Sequence, residues 1–154
     1  MKKRCGYVSN SSSSSFVVVP DNITPSDKDY NDIAIVFPFS RDSEWEGFMD
    51  GEIKFGWQDR EYHDTASKWN WLVLQAFYGG QKYMGIIDEY VASVCPKTSV
   101  NWSAVEKADD QIRAYIDHQS VDAEGTFEAV EKIGITEFLL NEKCYIQNGN
   151  DNDD

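Results

Sequence analysis

The sequence predicts an α+β fold, a single domain whose small, mostly antiparallel sheet carries three to four helices on one side. Three observations predict it. β-type apolar segments stand near both ends of the chain. Apolar residues in the middle recur at helical spacing. No regular alternation of strand and helix runs through the sequence, so a doubly wound parallel sheet is not expected. The 154 residues suffice for one core without metal or disulfide staples, and aromatics at 14% supply apolar material for it. The expected divisions are a serine-rich segment over residues 1–15, the domain proper over 16–147 and an acidic tail over 148–154.

The first strand is read in Phe16, Val17, Val18 and Val19. Residues 20–31, rich in Pro, Asp and Ser, read as a loop. Ile33, Ala34, Ile35, Val36 and Phe37 form a short apolar run closed by Pro38, the pattern of a buried strand. Residues 52–57 alternate polar and apolar, as a half-buried strand does.

The first helix starts near Asp64 and Thr65, both capping residues. Trp69, Leu72, Val73, Ala76 and Phe77 make its stripe, and Gly79 and Gly80 stop it. Tyr83, Ile86, Ile87, Tyr90, Val91 and Val94 mark a second helix, closed by Cys95 and Pro96. A third runs from about Ser103 through Val105, Ala108, Ile112, Tyr115 and Ile116, ending between residues 117 and 120. A short fourth is expected over residues 126–132, stopped by Gly134. Residues 135–140 and 144–147 then read as two strands joined by the polar turn Asn141, Glu142 and Lys143.

Charge narrows the functional classes. With 27 acidic against 14 basic residues the net charge is −13, which disfavours direct nucleic acid binding and favours a protein partner with a basic surface, or imitation of nucleic acid charge. The three cysteines, Cys5, Cys95 and Cys144, form no CxxC or Cys/His ladder, so neither structural zinc nor a disulfide framework is expected. A reducing, cytoplasmic setting follows. No apolar run approaches the roughly 20 residues of a membrane span. Oligomeric state is not readable.

Several residues are candidates for chemistry. Ser11, Ser12, Ser13, Ser14 and Ser15 read as a solvated tail, an anion cradle helped by Lys2, Lys3 and Arg4, or a modification segment. Asp117, His118, Asp122 and Glu124 read either as ordinary capping and loop residues or as a catalytic cluster. In the second case Asp117, His118 and Asp122 would hold a divalent metal ion, the one cofactor considered, with His118 as ligand or general base and Glu124 orienting water. His63 would join that cluster only if the fold brought it to His118. Trp71 lies about 200° from Trp69 around its helix, so it packs on a neighbour or forms an exposed binding contact. No GxSxG or Cys/His nucleophile signature occurs in the sequence, and no glycine-rich phosphate loop does either.

The run Gly6, Tyr7, Val8, Ser9, Asn10, five serines, Phe16 and Val17 resembles the leader of many uncharacterised small proteins of tailed bacteriophages and some bacteria. Residues 115–120 and 138–146, with the Asn/Asp-rich end, are similar to such proteins as well. The resemblance implies a small phage or mobile-element accessory protein and carries no chemistry of its own. The acidic charge adds the expectation that it binds a macromolecular partner, with a host nucleic-acid-processing protein as a partner class. The alternative is a metal-dependent hydrolase or nuclease-like enzyme centred on Asp117 and His118.

Overall fold

The computed structural model describes residues 13–21, 23, 47–56, 60–96, 98–117 and 120–150. The strand expected over residues 33–37, the side chains of Ser11 through Ser14, His118 and residues 151–154 lie outside the described residues. The α+β class holds: among the described residues, five helices accompany a three-stranded antiparallel sheet and a two-stranded parallel one.

Helix α1 (Thr65–Gly79) is the centre of the molecule. Asp64 caps it, its carboxylate accepting from the Ser67 amide at 2.9 Å, and Gly80 ends it at φ 101°, a conformation that favours glycine. Ten consecutive residues, from Ser67 to Ala76, are buried, so α1 is covered on all sides rather than along one stripe. Trp69, Trp71, Leu72 and Leu74 have no exposed surface, and each large apolar side chain so placed stabilises the fold by roughly 1.5–3 kcal/mol.

Helices α2 (Gln81–Val94), α3 (Trp102–Asp110), α4 (Ala123–Glu131) and α5 (Ile135–Leu140) pack on α1. Asn101 caps α3 through the Ala104 amide, and Asp122 caps α4 through the Gly125 amide. Gly79 lies where α1 meets α4, since a Cβ there would stand 2.4 Å from that of Ala123.

Strands β1 (Ser13–Val18), β5 (Tyr145–Asn150) and β3 (Arg60–Tyr62) form one sheet in the order β1-β5-β3. The sheet therefore takes in Ser13 to Ser15 and residues 148–150, paired with one another and beyond the expected limits of 16 and 147. Strands β2 (Lys54–Phe55) and β4 (Tyr115–Ile116) pair in parallel.

Two expectations are corrected. The third helix stops at Asp110 instead of reaching residues 117–120. Ile112 takes φ 55° and is 67% exposed, after which Ala114 and Ile116 are buried around a half-buried Tyr115. That period of two belongs to a strand, although Ile112, Tyr115 and Ile116 also fit helical spacing. Residues 135–140 form helix α5, not a strand. A six-residue apolar run fits either state, and here a buried ammonium from α1 satisfies the carbonyls at the helix end.

Candidate functional site

One face of the three-stranded sheet changes character along its strands. Val17, Ile146 and Tyr62 are paired across it, and the next row on that face is Ser15, Asn148 and Arg60. Ser15 and Asn148 are 3% and 1% exposed, so this polar row is buried except at Arg60. The Ser15 hydroxyl donates to Asn148 Oδ1, and Asn148 Nδ2 donates to the Tyr62 hydroxyl at 3.3 Å. The Arg60 guanidinium lies 4.9 Å above the Tyr62 ring and 3.7 Å from Glu52. Burial, and secondarily the nearby Glu52 charge, push the Tyr62 hydroxyl pKa up. The row borders a cavity of about 210 Å³ that Glu52, Lys54 and Tyr115 complete.

A second polar centre holds the C-terminal third of the chain to α1. Lys68 has no exposed surface, and its ammonium donates to the carbonyls of Phe138 at 2.7 Å, Asn141 at 3.0 Å and Cys144 at 3.0 Å. The end of α5, the turn and the approach to β5 thus converge on one cation. Cys144 is fully buried, which pushes its thiol up to about 11; Lys68 opposes that rise. This thiol is a packing group, not a nucleophile.

The segment carrying the expected catalytic cluster is fixed by Gln75. Its Nε2 donates to the Ser120 carbonyl at 2.9 Å, and its Oε1 accepts from the Asp122 amide at 3.0 Å. The Asp117 amide donates to the Phe55 carbonyl at 2.9 Å, and a Cβ on Gly56 would lie 2.4 Å from that of Asp117. Asp117 is buried, Asp122 spends one oxygen on the α4 cap, and Glu124 is exposed. Among the described residues no three His, Cys, Asp or Glu side chains group closely enough to hold a metal ion. His118, on which the expected cluster turns, lies outside those residues.

His63 sits apart from that segment by its contacts: it donates through Nδ1 to the Glu142 carbonyl at 2.6 Å and stacks on Tyr145 at 4.5 Å. Trp71 is a core residue, fully buried with its ring edge-on to Phe55 at 5.2 Å, which corrects its reading as an exposed binding contact. A helix buried on every side leaves no direction in which it would reach solvent. Among the described residues, its indole nitrogen and the Ser120 hydroxyl meet no hydrogen-bond partner.

The outer helical surface is acidic. On α4, Glu124, Glu128 and Glu131 are exposed while Ala123, Thr126, Phe127 and Val130 are buried. Spacings of four and three place these carboxylates on one stripe. Among the described residues, no Lys or Arg lies within ion-pair distance of them. On α3, Glu106 and Asp110 are also exposed.

Sequence reading missed Asn148, Tyr62, Lys68 and Gln75. Asn148 had the appearance of an acidic tail residue, and a lysine or glutamine within a helix ordinarily reads as solvated. The signal for the last two was the density of apolar residues on every side of α1. Searches of protein-family models, curated proteins and solved structures find no match to this chain. Among the described residues, no helix is long and apolar enough to cross a membrane.

Proposed function

We propose that this chain is a phage or mobile-element accessory protein that acts by binding a macromolecular partner with a basic surface, a host nucleic-acid-processing protein being the favoured class. The observation that carries the reading is the α4 stripe: three exposed carboxylates on one helix with no basic residue paired to them among the described residues. Unpaired carboxylates repel one another, and a cationic partner relieves that repulsion. Such contacts steer association and fix register more than they add affinity. The resemblance of the serine-containing leader to small phage proteins supplies the biological setting.

The test is capture of partners from host lysate by the wild type and by the triple variant Glu124→Gln, Glu128→Gln, Glu131→Gln. The substitutions keep side-chain size and helix propensity while removing three charges. Partners retained by the wild type at low salt should be lost from the variant, and lost from the wild type as ionic strength rises. Retention by the variant at any salt would remove the stripe from the function.

A further inference from the structure

We propose that the cavity of about 210 Å³ beside the buried polar row is a binding site for a small carboxylate. The inference is independent of the α4 stripe and rests on two hydrogen-bond donors. An amide nitrogen carries two N–H groups, and Asn148 uses one of them on Tyr62. The other has no acceptor among the described residues. The Tyr62 hydroxyl accepts that bond, and its own hydrogen likewise meets no acceptor among them. Both residues are nine-tenths or more buried, and both line the cavity.

Buried donors left unmet destabilise a fold by about 1–3 kcal/mol each, so an acceptor group in the cavity is the natural complement. Ser15 donates to Oδ1 at the other end of the amide, so the Asn148 side chain is held between the hydroxyls of Ser15 and Tyr62. Serine at the end of the run thereby holds part of the cavity wall, a role the composition of the run does not reveal.

Charge at the mouth selects an anion over a neutral carbonyl. Lys54 is exposed at this opening, and Glu52, the one carboxylate lining it among the described residues, lies 3.7 Å from the Arg60 guanidinium, so the charge left over is positive in a protein of net charge −13. A carboxylate presents two oxygens, one for each inner donor, and the positive field of Lys54 favours an anion at this opening. Phe55 and the Tyr115 ring offer apolar walls to a short carbon chain. The volume is below the roughly 300–1,000 Å³ of pockets for drug-sized ligands, which limits the occupant to about the size of an amino acid or a short-chain acid.

The probe is acetate, followed through the Asn148 side-chain amide signals in two-dimensional NMR. Acetamide serves as the neutral match and chloride at equal ionic strength as the salt control. Acetate should move the Asn148 signals saturably with a Kd of about 1 mM, in keeping with so few ligand atoms. Tyr62→Phe, which keeps the ring against Phe55, should weaken it about tenfold. Lys54→Gln, at an exposed position, should reduce the preference for acetate over acetamide. Equal binding of acetamide would overturn the choice of a carboxylate. Shifts that fail to saturate, or that chloride reproduces, would overturn the site itself. Unchanged binding in Tyr62→Phe with its fold intact would overturn the donor assignment.

Discussion

Replacing Lys68 by methionine tests the central packing argument. Methionine keeps the length and apolar stem of the side chain and removes only the ammonium. Three carbonyls, on Phe138, Asn141 and Cys144, then lose a charge-assisted bond in a site without solvent exposure at Lys68. The Asn141 carbonyl keeps the Cys144 amide at 3.0 Å, and each acceptor left without a partner is worth about 1–3 kcal/mol. The ammonium's own desolvation penalty disappears at the same time, and local relaxation recovers part of the loss. The net expectation is a destabilisation of about 3–5 kcal/mol, the range seen when one partner of a buried charged contact is removed. Against the roughly 5–15 kcal/mol of a typical domain, that is a large share. Urea unfolding of both proteins at neutral pH measures it. A loss below about 1 kcal/mol would refute the claim that Lys68 organises the end of α5 and the approach to β5. A second readout is the Cys144 thiol: without Lys68, its pKa should rise further, and alkylation should slow once corrected for unfolding.

Three other outcomes are expected. Gln75→Met strands the Ser120 carbonyl and the Asp122 amide and should destabilise by about 2–3 kcal/mol, read by thermal unfolding. Gly56→Ala places a Cβ against Asp117 at φ 139° and should destabilise by about 2 kcal/mol or more, with exchange protection falling first at β2 and β4. Stability should also fall in alkali. Burial raises Cys144 from its usual 9 to about 11, so the folded state holds this proton more tightly than the unfolded state. The contribution is complete below pH 9 and is lost as pH rises through 11, about 2–3 kcal/mol across that window. Tyr90, pushed up to about 12 by burial, extends the decline. Urea midpoints at pH 8, 9.5 and 10.5 measure it, and Cys144→Ala should flatten the slope.

The helices that bury a stripe or carry a cap were legible in the sequence. Asp64 and Asp122 each cap through a side-chain oxygen, and Gly80 ends α1 where the pattern stops. What escaped was set by contacts remote in the chain. Residues 135–140 are too few for periodicity to separate helix from strand, and the ammonium that favours the helix comes from residue 68. Ile112 continues the apolar spacing of α3, yet the chain turns outward there because Ala114 and Ile116 are needed in the core. The polar row Ser15, Asn148 and Arg60 joins three segments separated by up to 133 positions, so no local pattern announces it. The acidic excess was plain from composition, whereas its arrangement as an unpaired stripe on α4 required the fold.

The most direct test of the proposed binding role is site-specific photocrosslinking, with a photoreactive phenylalanine analogue placed at Glu128 or at Asp50. Asp50 is an equally exposed carboxylate next to the start of α1, where Gly51 meets Ala66, while α4 begins against Gly79 at the other end. The surroundings of Asp50 and the start of α4 therefore lie at opposite ends of the 15 residues of α1, roughly 20 Å apart along its axis. The account predicts a discrete partner adduct from position 128 that fades as salt rises, and none from position 50. An adduct from position 50 alone, or one from position 128 indifferent to salt, would contradict it.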